Sequence, residues 1–187
     1  GTTEVTYTAT DAAEKSTDLI FTVTVTDGFA PTYTTAPADI LVTAVAGLCA
    51  AEASWDEPIV TDGCNAFTVV SSHDSGTTFP AGITPVTYTA TDDIGNSRDH
   101  IFFVTINDGE GPTFDTQLED ISSPSSLGIC GAQIFWTEPT AVDNCTAATV
   151  SSSHTSGSFF DVGITTVIYT ASDGSGEIAQ QSFTVTV

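Results

Sequence analysis

The chain repeats itself with a period of 81 residues, and this period limits its possible folds more than any other feature of the sequence. No insertion or deletion interrupts the register, which relates Cys49 to Cys130, Trp55 to Trp136, and Asp27 to Asp108. A fixed period is typical of tandem arrays in which each repeat forms one structural unit. We therefore predict one full repeat over residues 27–107 and a second over residues 108–187.

Residues 1–26 align with residues 82–107, which form only the last quarter of a repeat. Two strands without a second layer are marginally stable in water. The simpler interpretation is that 1–26 are the C-terminal strands of a truncated preceding repeat. The alternative is that these strands complete a sheet with another partner.

Each period shows the alternation of β-strands rather than the pattern of helices. Val86, Tyr88 and Ala90 alternate with threonines, as expected for strands with one buried and one solvated face. Short strands at a spacing of about ten residues predict an all-β fold of tandem immunoglobulin-like β-sandwiches. Trp55 and Trp136 are predicted to fill space between the sheets. The predicted strands of the first repeat lie near 38–44, 50–56, 67–72, 76–80, 83–85, 86–91 and 99–106.

Five short elements occur in both repeats: W-x-E-P, D-[GN]-C, S-S-H, G-I-T and Y-T-A-[TS]-D. Together they resemble the HYR (hyalin repeat) domain family, and the resemblance covers two full copies and the tail of a third. It implies an immunoglobulin-like fold in tandem copies within large secreted or cell-surface proteins. It also implies an adhesive or scaffolding role without catalytic activity.

The four cysteines form no CxxC motif and suggest disulfides in an oxidising compartment, with buried free thiols as the alternative. The family often carries a further cysteine pair, whose matching places in the first repeat are Ala36 and His100. Since that pair is absent, the resemblance implies local bridges between the remaining cysteines. The implied bridges are Cys49–Cys64 and Cys130–Cys145.

The charge of the chain excludes several classes of function. It has 24 acidic residues and only two basic ones, for a net charge of −22. Nucleic-acid binding depends on Lys and Arg, so no nucleic-acid partner is expected. No apolar run is long enough to span a bilayer, and direct membrane insertion is not expected. The cysteines and the family resemblance favour an extracellular or cell-surface location.

The histidines that recur after serine do not predict an enzyme. Because neighbouring residues on a strand point to opposite faces, Ser72 and His73 are not expected to form a nucleophile–base pair. His73 and His154 are therefore interpreted as structural residues. No catalytic or cofactor-binding residue is assigned.

Six repeated aspartates are predicted calcium ligands. In an immunoglobulin topology, the residue that begins a repeat lies at the same end as two of its loops, so carboxylates converge there. Calcium takes such hard oxygen ligands and tolerates irregular loops, although the same residues could be a solvated acidic surface. The predicted ligands are Asp27, Asp62, Asp92, Asp108, Asp143 and Asp173. Their expected acidic neighbours are Asp56, Glu57, Asp93, Glu110 and Glu138.

The sequence favours an extracellular structural or adhesive module that forms a stiff stalk or fibre segment. The alternative is a glycan- or protein-binding module of a surface adhesin. Equal loop lengths in the two repeats favour the first function, because binding sites usually need enlarged or divergent loops. The expected partners are neighbouring repeats of the same chain and copies of the chain in a filament.

Overall fold

The computed structural model describes residues 1–64 and 66–187, and these residues form strands and turns but no helix. It follows that the described residues offer no helix suited to crossing a membrane. Their contacts divide into two compact units. One unit comprises Gly1–Pro37, Asp56–Asp74 and Val86–Ile101, and the other comprises Ala38–Trp55, Ser75–Pro85 and Phe102–Val187.

The strands of the described chain follow the 81-residue period. Residues 1–107 contain β1 (Thr2–Thr10), β2 (Ser16–Thr24), β3 (Thr32–Thr35), β4 (Ile40–Thr43), β5 (Ala50–Ala53), β6 (Ile59–Thr61), β7 (Phe67–Ser71), β8 (Thr77–Pro80), β9 (Gly82–Asp92) and β10 (Ser97–Asn107). Residues 108–187 contain β11 (Thr113–Phe114), β12 (Ile121–Ser122), β13 (Gly131–Gln133), β14 (Ala141–Val142), β15 (Thr149–Ser152), β16 (Phe159–Asp161), β17 (Ile164–Ser172) and β18 (Ile178–Thr186).

Both repeats have the same sheet topology. The larger sheet has the order β4-β10-β9-β7 in the first repeat and β12-β18-β17-β15 in the second. Its first strand runs parallel to the last strand of the repeat, and the β7–β9, β15–β17 and β17–β18 pairings are antiparallel. The smaller pairs are β5–β8 and β3–β6, matched by β13–β16 and β11–β14. The prediction of all-β, tandem immunoglobulin-like sandwiches is confirmed.

Two details of the strand prediction are wrong. The predicted strands 83–85 and 86–91 form the single strand β9, because the fixed φ of Pro85 is compatible with extended backbone. The short strands β3 and β6 were not predicted. They pair with each other over only a few residues and with a register shift, so they carry too little alternation to be recognised.

The core lies on the faces that the alternation predicted. Val86, Tyr88 and Ala90 are buried, as are their counterparts Val167, Tyr169 and Ala171. Both tryptophans pack against the core, as predicted. The Trp55 ring meets Phe102 edge-on with centroids 5.2 Å apart, and the Trp136 ring meets Phe183 at 5.3 Å.

The β1–β2 hairpin has the same sequence pattern but a largely uncovered apolar face. Tyr7 is 63% exposed, whereas Tyr88 at the same repeat position is 1% exposed. Phe21 stacks on Tyr7 with centroids 5.9 Å apart and is 43% exposed. The hairpin therefore keeps the registered pairing of a repeat without the second layer that covers the equivalent strands β9 and β10.

Candidate metal centres

The six aspartates predicted as calcium ligands form two clusters of three. Asp27, Asp62 and Asp92 make the first cluster, and one carboxylate oxygen from each lies within 4.8 Å of the others. The second cluster is equally tight and consists of Asp108, Asp143 and Asp173. Each member of the second cluster follows its counterpart by 81 residues.

Local sequence explains how each cluster is assembled. Asp108 directly follows β10, the last strand of the first repeat. Asp143 directly follows β14 and begins the D-[GN]-C element, and Asp173 directly follows β17 at the turn into β18. Gly176 closes that turn with a φ of 98°, a left-handed conformation that glycine adopts without a steric penalty. The cluster therefore joins the residue that directly follows the last strand of the first repeat to two loops of the second repeat.

Each aspartate of the second cluster uses one oxygen to fix its loop. Asp108 Oδ1 accepts a hydrogen bond from the Glu110 amide (3.2 Å), and Asp143 Oδ2 accepts one from the Cys145 amide (3.2 Å). Asp173 Oδ1 accepts bonds from three amides, the shortest from Gly176 at 2.7 Å. These bonds orient the three carboxylates.

The other oxygen of each of these carboxylates is buried and has no hydrogen-bond partner. These atoms are Asp108 Oδ2, Asp143 Oδ1 and Asp173 Oδ2. Buried polar atoms in native proteins nearly always have a partner, and a bound ion is one such partner. Three such oxygens from one cluster are the ligand type that a hard cation requires.

The first cluster is built around Asp92, which is only 5% exposed. Burial alone would raise the pKa of Asp92, but hydrogen bonds from Asn96, Ile94 and Gly95 outweigh burial and place the pKa below its ordinary value. The Asn96 side chain donates to Asp92 Oδ2 at 2.8 Å and to the Asp27 carbonyl at 3.4 Å. Asp92 is therefore held as a carboxylate, and Asn96 ties it to the segment that carries Asp27.

The neighbouring acids are not members of the clusters. The Glu57 carboxylate accepts a hydrogen bond from the Tyr88 hydroxyl at 2.7 Å, and Glu138 accepts one from the Ser156 amide at 2.9 Å. Glu110 accepts a bond from the Gly47 amide at 2.6 Å. The remaining predicted neighbours, Asp56 and Asp93, also lie outside both clusters.

The cysteine pairing implied by the family resemblance is wrong. Cys49 is bonded to Cys145 of the next repeat, with Cα atoms 4.8 Å apart, while Cys64 and Cys130 are exposed thiols rather than members of Cys49–Cys64 and Cys130–Cys145 bridges.

The length of β17 explains why the second predicted bridge does not form. Cys130 lies before the start of β17, because its carbonyl accepts a hydrogen bond from the Val162 amide. Cys145 follows Asp143, whose cluster lies past the other end of β17. A nine-residue strand spans about 30 Å, whereas bridged Cα atoms lie within about 7 Å. The same order of elements applies to Cys49 and Cys64.

The serine and histidine side chains of each pair are in contact, so the expectation that they point to opposite faces of a strand is wrong. Ser72 Oγ lies 3.0 Å from His73 Nδ1, and Ser153 Oγ lies 3.1 Å from His154 Nδ1. Both pairs follow the end of a strand, where side chains need not alternate between faces. Ser72 Oγ also accepts a hydrogen bond from the Thr87 amide at 2.9 Å. The Ser72 contacts join the turn after β7 to β9, and this role is structural.

The HYR domain model matches residues 26–106 and again residues 107–187. The chain belongs to the HYR domain family. The chain is 40% identical to hyalin of Lytechinus variegatus over 72% of the chain. It is 36% identical to hyalin of Strongylocentrotus purpuratus over 100% of the chain. The chain spans 26% and 16% of these two relatives, respectively.

Two solved structures give weaker matches to the HYR repeats. Protocadherin Gamma B2 extracellular cadherin domains 3-6 are 12% identical with a TM-score of 0.41, and the match covers the whole chain and 57% of that structure. Human mucin-like protocadherin EC1-2 is 10% identical with a TM-score of 0.41, over 84% of the chain and 97% of that structure.

Proposed function

We propose that the chain is a segment of an extracellular stalk or fibre whose successive HYR repeats are held in a fixed orientation by calcium. The observation that carries this proposal is the composition of the second aspartate cluster. Asp108 directly follows the last strand of the first repeat, whereas Asp143 and Asp173 lie in loops within the second repeat. An ion bound by all three would restrain the junction between the repeats.

The charge of the cluster favours a divalent cation. Like charges at this separation repel one another, most strongly where water is excluded. Three carboxylates supply three negative charges, and the net charge of −22 adds to the attraction for cations. Calcium accepts six to eight oxygen ligands in irregular geometry, whereas magnesium requires a nearly ideal octahedron. Clusters made from three separate loops therefore suit calcium better.

The segment between the repeats is short and partly fixed. Only Asp108–Gly111 separate the last strand of the first repeat from Pro112, which is fully buried. The Gly47 amide, in the first repeat, donates to the Glu110 carboxylate. A linker of this length cannot act as a flexible coil, so a bound ion would act on a junction that already has limited freedom.

The family supports the location and role in this proposal. Both hyalins named above are several times longer than the chain, so the aligned region is only part of each of them. A long array of sandwiches needs rigid junctions if it is to act as a spacer or scaffold. We therefore infer an adhesive or structural role outside the cell for the protein that contains these repeats.

Calcium binding can be tested by titrating the chelator-treated chain by isothermal calorimetry. We expect two ions per chain, one for each cluster, and weaker binding of magnesium. Asp143→Asn should abolish one of the two sites. Asp161→Asn removes the same charge from β16, outside both clusters, and should leave two sites. A chain that binds no calcium at millimolar concentration would contradict the proposal.

Small-angle scattering tests the mechanical half of the proposal. With calcium, we expect an elongated particle whose maximum dimension is sharply defined. With chelator, the distribution of distances should broaden, because the junction loses its ion. A compact particle in calcium would show that successive repeats are not arranged end to end.

A further inference from the structure

We propose that Cys64 and Cys130 are the two open positions of a disulfide ladder that joins each HYR repeat to the next. In this ladder Cys64 bonds to the cysteine at the Cys49 position of a preceding repeat. Cys130 bonds to the cysteine at the Cys145 position of a following repeat. The Cys49–Cys145 bond is the step of the ladder that lies wholly within the chain.

Both open cysteines have the same backbone environment as a bonded counterpart. The Cys64 amide donates to Asp62 at 2.9 Å, and the amide of its counterpart Cys145 donates to Asp143 at 3.2 Å. The backbone around the other pair also matches. The Cys49 carbonyl accepts a hydrogen bond from the residue 32 positions later, Ala81, and the Cys130 carbonyl accepts one from Val162 at the same spacing. The open cysteines thus have the same backbone hydrogen bonds as their bonded counterparts.

The cavity beside Cys64 is an incomplete version of the cavity beside the disulfide. The disulfide borders a cavity of about 460 Å³ whose lining includes Gly82, Ile106 and Asp108. The cavity beside Cys64 measures about 280 Å³ and is lined by the equivalent residues Gly1, Val25 and Asp27.

The difference between the two cavities identifies what is missing. Cys49 and Ala81 line the larger cavity, and their counterparts in the smaller one would lie ahead of Gly1. In the 81-residue register, their counterparts belong to the part of a preceding repeat that lies ahead of the β1–β2 hairpin. The same part would supply the layer that covers Tyr7 and Phe21, which are exposed on that hairpin. The occupant is therefore a preceding repeat in the same register.

The bond forms by thiol–disulfide exchange with a small-molecule disulfide as the oxidant. The thiolate of one cysteine attacks the oxidant and releases one reduced thiol. The second cysteine then attacks the mixed disulfide, forms the protein S–S bond and releases the other reduced thiol. Two protein thiols are oxidised, and one disulfide is reduced to two thiols.

An extended chain can test the Cys64 step. A copy of residues 28–81 joined ahead of Gly1 restores a full preceding repeat, with serine in place of the copied Cys64. After oxidation in glutathione buffer, the original chain should keep two maleimide-reactive thiols and the extended chain only one. Non-reducing peptide mapping should link Cys64 to the added cysteine at the Cys49 position. A reactive Cys64 in an extended chain that retains Cys49–Cys145 would overturn the proposal.

Two further chains keep this test decisive. Serine at the added Cys49 position should return the thiol count of the extended chain to two. A copy of residues 107–187 joined after Val187 tests the Cys130 step with a complete repeat, with serine in place of its copied Cys130. There Cys130 should bond to the added cysteine at the Cys145 position. If both extensions leave Cys64 and Cys130 reactive, the ladder does not exist.

Discussion

Cys49 and Cys145 form a disulfide across 96 positions of the sequence, with their Cα atoms 4.8 Å apart. Each cysteine belongs to a different repeat, so the bond fastens the first repeat to the second. Cys145 also lies two residues after Asp143, a member of the second aspartate cluster. The covalent link and the candidate metal centre therefore act on the same junction.

Removal of this disulfide is expected to destabilise the chain strongly. Replacing Cys49 and Cys145 together with serine should lower the free energy of unfolding by about 4–5 kcal/mol, because the closed loop is long. Denaturant unfolding without reductant measures the change. The double replacement of Cys64 and Cys130 with serine is the matched control and should change stability by less than about 0.5 kcal/mol. Equal losses in both double variants would contradict the assignment.

Gly109 is predicted to allow close approach to Thr43 at the junction. A Cβ atom on Gly109 would lie 2.5 Å from Thr43 Cγ2, whereas the equivalent Gly28 has open space around it. Gly109→Ala should therefore cost about 0.5–1.5 kcal/mol, because the exposed Thr43 side chain must leave its preferred rotamer, while Gly28→Ala should not produce such a loss. Thermal unfolding compares the two variants. Adding Thr43→Ser to Gly109→Ala removes the contacting methyl group and should restore much of the loss.

The uncovered hairpin gives a matched pair of core truncations. Phe102 is 1% exposed, and Phe21 at the same repeat position is 43% exposed. Phe102→Ala should destabilise the chain by about 3–5 kcal/mol, because it leaves a cavity in the core. Phe21→Ala should cost much less, since its ring already contacts water on one side. If the two variants lose equal stability by denaturant unfolding, then the hairpin face is covered in solution.

The aspartate clusters could be predicted from sequence because their determinants are local and repeated. Asp62 and Asp143 begin the D-[GN]-C element, and Asp92 ends a strand whose alternation is clear. An immunoglobulin topology places the ends of such strands beside the start of the repeat. The clustering therefore followed from the fold class and the 81-residue period together.

The disulfide partner could not be predicted in the same way, because short spacing in sequence is a poor guide to spacing in a sandwich. Cys130 and Cys145 are 15 positions apart but lie toward opposite ends of β17. The bonded partner of Cys145 is Cys49 of the adjacent repeat, a relation that the pattern within one repeat does not contain. The contact between Ser72 and His73 was missed for a related reason, since it depends on where β7 ends.

Acid should weaken the contact between Asp120 and β18. The Thr184 amide donates to Asp120 Oδ1 at 2.7 Å, and this backbone hydrogen bond lowers the pKa of the carboxyl below its ordinary value of 3.8. A group with a depressed folded-state pKa adds stability above its unfolded pKa, and that stability is lost as pH falls through the folded pKa. Urea unfolding between pH 6 and pH 2.5 should show a smaller loss for Asp120→Asn than for the parent chain.

The neighbouring Glu119 provides the control for this experiment. Glu119→Gln removes the same charge one residue earlier and keeps the hydrogen bond between Asp120 and Thr184. The free energy of unfolding of this variant should fall as steeply as that of the parent chain when the pH is lowered. Parallel pH curves for the parent chain and Asp120→Asn would show that the hydrogen bond to Thr184 does not contribute to acid sensitivity.

Charge removal at the second cluster should have opposite effects with and without calcium. In chelator, Asp143→Asn removes repulsion with Asp108 and Asp173 and should raise the melting temperature. In calcium at a hundred times the dissociation constant, the parent chain gains about 2.7 kcal/mol from this site, and the variant loses most of that gain. The variant should then melt below the parent chain. Asp161→Asn, with the same charge change outside the cluster, should shift the melting temperature equally in both conditions. If Asp143→Asn also shifts it equally in both, the cluster binds no calcium.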